Sequence, residues 1–193
     1  DQFSENVLVE SGLFYLDEQK NTYVERFRDR IIFPINNISG QPIGLGGRTI
    51  NENSYGAKYI NSPETPFFKK GSNLYNLDVA RKLSNKIDHV YLVEGYMDVV
   101  GLSKNGIENV VANLGTSLTD RQILILNQFF DDIIICFDGD ESGYKAALRA
   151  AENSIKELQP EKQISFLFLP DGEDPDSYAT VSYTHLRAHE TLM

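Results

Sequence analysis

Between residues 88 and 170, short apolar runs alternate with segments of helical spacing. The runs are 89–93, 110–112, 133–137 and 164–169. A continuous apolar run bounded by turn residues is the pattern of a strand covered on both faces, and strands separated by helical segments form parallel sheets. Four such strands are predicted. Residues 97–104 are predicted as the helix after the first strand. Thr119, with Gln122 three positions on, predicts a capping box opening a helix through Ile123, Leu124 and Leu126. Tyr144, Ala147, Leu148, Ala151, Ile155 and Leu158 recur at helical spacing and predict the sheet-facing stripe of a longer helix.

The earlier half has a different texture. Residues 4–10 read as a short amphipathic helix stopped by Gly12, and 13–16 as a short strand. In residues 23–30, charge alternates with aromatic or apolar side chains. They lead into a predicted strand at 31–35, whose Pro34 calls for a sheet edge or a bulge. Across a turn at 36–40 the chain returns as a strand over 41–48, which makes a hairpin, and a further turn is expected at 51–56. Gly44, Gly46 and Gly47 stand just before Arg48, where small residues let a backbone or a phosphate approach closely. Arg48, Lys58, Lys69 and Lys70 are interleaved with Tyr59, Phe67 and Phe68, the mixture of cations and stacking planes that single-stranded nucleic acid uses. The same mixture suits solvated lysines around a core pair of phenylalanines.

Composition adds bounds. A chain of 193 residues, 41% hydrophobic and 24% charged, fits one sizeable globular domain or two small ones. No apolar run approaches the roughly 20 residues that span a bilayer, and the opening residues do not read as a signal peptide, so a cytoplasmic protein without a membrane partner is expected. The single cysteine, Cys136, lies inside an apolar run and reads as a core residue. One cysteine and three histidines cannot make a zinc cluster. The net charge of −10 is unevenly spread: residues 20–86 hold 11 basic against 5 acidic residues, and residues 91–193 hold 7 against 17. A basic region joined to an acidic one suits a polyanion held on one side while cations gather on the other, although uneven solvated surface gives the same count.

The acids fall in a pattern. The run at 133–137 ends on Asp138-Gly139-Asp140, the run at 89–93 on Glu94, and the run at 164–169 on a segment containing Asp171, Glu173, Asp174 and Asp176. Ligands of open α/β sheets bind beyond the carboxyl ends of the strands, and parallel strands bring those ends to one edge. Glu94, Asp98, Asp138, Asp140, Asp174 and Asp176 should therefore converge. Carboxylates so gathered repel one another unless hard divalent cations neutralise them. Capping or turn formation is the other reading for Asp98 and Asp171.

These motifs carry a resemblance. Glu94-Gly95 and Asp138-Gly139-Asp140 after strands resemble the Toprim signature of primases, topoisomerases and some nucleases. Val93–Val100, Leu114–Ser117 and Leu169–Asp176 resemble the DnaG-type bacterial primases in particular. So do Arg30–Ile35, Gly46–Arg48, Lys58–Thr65 and Leu74–Leu77, and the likeness runs from about residue 7 to 178.

The resemblance implies an α/β protein with an α+β amino-terminal part: a Toprim parallel-sheet domain at 88–180 packed on a smaller, basic, mixed α/β subdomain at 1–87. It implies an RNA polymerase core, a nucleotidyltransferase that makes short RNA primers from NTPs on a single-stranded DNA template. Glu94, Asp138 and Asp140 are then the catalytic metal-site acids, and Asp98, Asp174 and Asp176 support a second ion. The implied cofactor is Mg2+, with Mn2+ as the alternative. Arg48, Lys58, Tyr59 and Lys70 match residues that meet nucleotide phosphates or template. Two ions about 3.5–4 Å apart assist in-line attack of a 3′-hydroxyl on an α-phosphate. Glu94 as ligand and Glu94 as general base both remain open. The family's zinc-binding and helicase-binding domains have no counterpart here, so zinc and the replicative helicase belong to regions outside this chain. Residues 181–193 have no counterpart either and read as a foreign tail. A Toprim nuclease and a non-catalytic metal- and nucleic-acid-binding module are the alternatives.

Overall fold

The computed structural model describes residues 3–51, 56–115, 117–138, 140–156, 159–170 and 172–179. Most of the turn expected at 51–56 lies outside them, as do Leu158, Asp171 and the tail expected at 181–193. The chain forms two compact units, residues 1–69 and 70–193.

In the first unit a helix, α1 (Glu5–Glu10), precedes an antiparallel hairpin of β1 (Phe14–Asp17) and β2 (Thr22–Glu25). The second strand overlaps the segment at 23–30 that reads in sequence only as alternating charge. It pairs Tyr23 with Leu16 and Val24 with Tyr15. A three-stranded antiparallel sheet follows: β3 (Arg30–Asn36), β4 (Pro42–Thr49) and β5 (Tyr59–Asn61), in the order β3-β4-β5. Pro34 thus sits on an edge strand, and the register shifts next to it between Ile35 and Asn36, so both roles expected of that proline are realised. Gly44 and Gly47 of β4 leave room for side chains. A Cβ on Gly44 would lie 3.2 Å from the Phe68 ring, and one on Gly47 would lie 2.8 Å from Phe27. Phe68 is fully buried while Phe67 is 80% exposed, so one of the two phenylalanines is core and the other is not.

The second unit is built on four parallel strands, β6 (His89–Val93), β7 (Val110–Ala112), β8 (Asp132–Phe137) and β9 (Gln163–Phe168), ordered β7-β6-β8-β9. Alternation along β6 sends Val90 and Leu92 to one face and Tyr91 and Val93 to the other. On the first face lie α4 (Asp120–Asn127), through Ile123 and Leu126, and α5 (Glu141–Ile155), through Ala147 and Ala150. On the second lies α3 (Tyr96–Lys104), through Val99 and Leu102, together with Cys136, whose thiol burial pushes up to about 12. Leu74, Leu77 and Ala80 join the first core, Leu77 and Ala80 from the short helix α2 (Leu77–Ala80), and Tyr75 bridges to Ala112. The stretch that the sequence groups with the basic half therefore packs with the sheet. No described helix is long and apolar enough to cross a membrane.

Helix α5 corrects the sequence reading. Tyr144, Leu148 and Ile155 are 56%, 52% and 67% exposed, and the buried stripe is Gly143, Ala147, Ala150 and Ser154. Small residues at that spacing let the helix lie close against the sheet, which outweighs the area the larger side chains would bury.

The capping box at Thr119 and Gln122 forms as expected: Gln122 N donates to Thr119 Oγ1 at 3.2 Å and Thr119 N donates to Gln122 Oε1 at 3.1 Å. Fully buried Gln122 also donates through Nε2 to the carbonyls of Lys70 at 3.1 Å and Asn73 at 2.9 Å. Gln122→Leu removes this buried donor from both carbonyls, while the Lys70 carbonyl keeps the 3.4 Å hydrogen bond from Asn73 N. The expected cost is about 2–4 kcal/mol, seen as a melting temperature lower by roughly 10 °C. An unchanged melting temperature would show that the carbonyls find other donors.

Candidate active site

Because the four strands are parallel, their carboxyl ends share one edge. Glu94 follows β6, Asp138 follows β8, and Asp174 lies in the segment after β9. Asp98 stands on the first turn of α3, and its Oδ2 accepts from Gly95 N at 3.0 Å. Asp140 is the N-cap of α5 and accepts from Gly143 N through Oδ1 at 2.7 Å. Asp174 caps the helical turn 175–179, accepting from Ser177 N at 2.7 Å. Asp176 is half-buried against Gly101 of α3.

Five of these acids act on one another. Burial raises the Asp98 carboxyl to about 7; the Gly95 hydrogen bond opposes the shift, and the charges of Asp138, Asp174 and Glu94 add to it. Asp138 is raised by burial, then by Asp174 and Asp140. Glu94 is raised by burial, then by Asp138 and Asp140, and Arg149 pulls it back down. The set offers only hard oxygen donors, and a divalent cation would relieve its self-repulsion, so its chemistry fits such an ion. Among the described residues no three His, Cys, Asp or Glu side chains are gathered closely enough to hold one metal ion. Asp98, Asp140 and Asp174 are each hydrogen-bonded to a backbone N–H.

Asp98 makes a prediction about pH. Its folded value of about 7 lies above the ordinary 3.8, so the folded state binds the proton more tightly. This contribution to stability is complete below pH 4 and is lost as pH rises through about 7. In metal-free buffer Asp98→Asn should melt higher than wild type at pH 8, with the difference narrowing at pH 5. A difference independent of pH would contradict the assignment.

The basic residues divide between the units. In the first, Arg48 and Tyr59 are register partners, with the guanidinium carbon 5.9 Å from the ring centroid, and Lys58 Nζ lies 5.7 Å from the same ring. Arg30 holds this strand pair, donating to the carbonyls of Ala57 at 2.9 Å and Lys58 at 3.2 Å. Lys70 belongs to the second unit, in a 3-10 turn at Lys70–Ser72.

Two residues absent from the sequence reading also stand at the acidic edge. A cleft of about 240 Å3 is lined by Glu94, Asn113 and Arg149, among others. Asn113 directly follows β7, so the rule that drew attention to Glu94 and Asp138 could have found it. Arg149, within α5, carries no such signal.

Comparison with known proteins agrees with this architecture. Residues 1–81 match the family described as DNA primase catalytic core, N-terminal domain, and residues 88–168 match the Toprim domain. A DNA primase of Pseudomonas putida is 43% identical over 177 residues, 92% of this chain and 26% of that protein. A solved DNA primase domain from Pseudomonas aeruginosa superposes with a TM-score of 0.90 at 42% identity, covering 97% of this chain and 58% of that one. A DnaG primase catalytic domain bound to ssDNA gives 0.87 at 38% identity, covering 96% and 58%. The chain thus spans about a quarter of the length of the curated relative and a little over half of the solved domains. With a DnaG-type amino-terminal part followed by a Toprim sheet, the chain belongs to the bacterial DnaG-type primase family.

Proposed function

We propose that this chain is part of a primase catalytic core that joins NTPs into short RNA primers on single-stranded DNA in the cytoplasm. The observation that carries the reading is the mutual coupling of Glu94, Asp98, Asp138, Asp140 and Asp174 at one edge of a parallel sheet. Glu94, Asp138 and Asp140 are the proposed catalytic acids that hold Mg2+, or Mn2+ in its place, and Asp98, Asp174 and Asp176 serve a second ion. When bound, such ions stabilise the charge that builds on the reacting phosphate and the departing pyrophosphate. The chain's own part is to gather the carboxylates. Capping by Asp140 ties the turn after β8 to α5, and Asp98 ties the start of α3 to Gly95. Glu94 serves either as ligand or as acceptor of the 3′-hydroxyl proton.

Arg48, Lys58, Tyr59 and Lys70 are the proposed contacts to nucleotide phosphates or template. The Arg48–Tyr59–Lys58 group supports this, since a cation beside an aromatic plane binds both phosphate and base. The DNA seen in the solved relative supports it as well. The proposed division of labour follows 1–87 and 88–180.

Incubation with single-stranded DNA, NTPs and Mg2+ tests the reading. Short RNA products are expected; cut DNA would indicate a Toprim nuclease, and neither product a binding module. Alanine at Arg48 and Lys58 should weaken DNA binding and flatten its salt dependence by roughly 0.7 units of log–log slope per lost contact. An unchanged slope would remove these two residues from the DNA path.

A further inference from the structure

Helix α5 carries two apolar stripes, and the fold uses one of them. Gly143, Ala147, Ala150 and Ser154 meet the sheet over β8 and β9. The larger Tyr144, Leu148 and Ile155 stand with Ala151 on the flank away from Arg149 and face outward. These four positions are spaced by four, three and four residues, the alternation of a helix–helix seam. At the foot of the seam the half-exposed Phe168 ring meets the Tyr144 ring, with centroids 6.0 Å apart. Phe168 ends β9, an outer strand that among the described residues pairs only with β8. Its sequence, Gln-Ile-Ser-Phe-Leu-Phe, has no charge, no proline and no register shift, the devices that keep an open edge from pairing. The other outer strand, β7, is bridged at Ala112 by Tyr75. An apolar seam beside an open strand edge marks an interface.

We propose that a second copy of this chain covers this face, with the two α5 helices packed antiparallel about a two-fold axis. Such an axis sets a patch against itself, so the patch must be self-complementary. With the axis level with Arg149 and Ala150, Tyr144 shares a layer with Ile155 of the second copy, and Leu148 shares one with Ala151. Every layer is apolar. Antiparallel packing also brings like flanks together. On the solvent flank the exposed Lys145 and Glu152 each follow a seam residue, and each Lys145 meets Glu152 of the second copy. The other flank is Ala147 and Ser154, which carry no charge. The same axis lays the two β9 edges side by side and antiparallel. Packed helices stand about 8–10 Å apart and paired strands about 4.8 Å. A helix seated over the last two strands of its sheet satisfies both spacings at once.

The test is the mass of the chain by analytical ultracentrifugation at up to roughly 100 μM, a range that spans micromolar interfaces. Salt at about 0.15 M screens the net charge of −10 that each copy carries. Wild type is expected to shift from one copy to two as concentration rises. Leu148→Glu puts a carboxylate into the apolar seam and should weaken the dimer by roughly tenfold or more, with the circular dichroism of wild type because residue 148 is exposed in a single copy. Lys145→Glu and Glu152→Lys each set like charges together and should weaken it by roughly threefold. Mixed in equal amounts, or combined in one chain, these two changes restore opposite pairs and should recover the dimer. A chain that stays monomeric throughout overturns the proposal and leaves the face to a segment outside this chain. A dimer that persists in Leu148→Glu, or charge variants that do not recover on mixing, places the contact elsewhere and overturns it as well.

Discussion

Gly143→Ala is expected to unseat the turn that carries Asp138 and Asp140. A Cβ at residue 143 would collide with the Asp138 carbonyl oxygen, and it would stand 3.1 Å from that carbonyl's carbon and 3.2 Å from the Asp138 nitrogen. All three are backbone atoms, so no side-chain rotation relieves the clash. The turn is also tied to the helix: Asp140 N donates to Asp138 O at 2.8 Å, and Gly143 N donates to Asp140 Oδ1 at 2.7 Å. In an open helix alanine would be favoured over glycine by about 1 kcal/mol, so the sign of the effect is diagnostic. A net loss of roughly 1–3 kcal/mol is expected, together with loss of any Mg2+-dependent synthesis. A variant that melts at or above the wild-type temperature would show that the turn does not bear on the helix.

The second large effect separates charge from architecture at Asp140. As N-cap, asparagine replaces aspartate with little loss, whereas alanine gives up about 1 kcal/mol. As a metal-site acid, neither replacement suffices, because an uncharged amide is a poorer ligand for a hard cation and a methyl group is none. Asp140→Asn and Asp140→Ala should therefore both lower synthesis by two orders of magnitude or more, while only the alanine variant melts lower. Thermal unfolding alongside dinucleotide synthesis measures both. Wild-type synthesis in Asp140→Asn would mean that Asp140 is a cap and nothing else.

Much of this was legible in the sequence because strand ends and caps are written locally. Glu94 and Asp138 announce themselves by following apolar runs, Pro34 by its missing N–H, and Thr119 by the glutamine three residues on. Features that depend on what approaches from elsewhere were not legible. Of the stripe that helical spacing predicts on α5, Ala147 is buried while the larger Tyr144, Leu148 and Ile155 are exposed, and closeness to the sheet adds Gly143 and Ala150, which the spacing does not mark. Strands β2 and β5 owe their form to partners in the chain more than to their own pattern. Arg149 belongs to the cleft only because α5 turns that side of the helix toward Glu94, and a helical sequence does not state which neighbour its flank will meet.

The central claim is that chemistry resides in the acids at the sheet edge while binding resides in the basic residues. The most direct measurement compares wild type with Asp138→Asn for two quantities on the same preparation: affinity for single-stranded DNA across a salt series, and Mg2+-dependent dinucleotide synthesis at saturating NTP. Removing a negative charge that faces phosphate should leave affinity unchanged or slightly tighter, with the same salt slope, while synthesis falls by at least a hundredfold. Wild-type synthesis in Asp138→Asn would make the turn after β8 purely structural and would contradict the account.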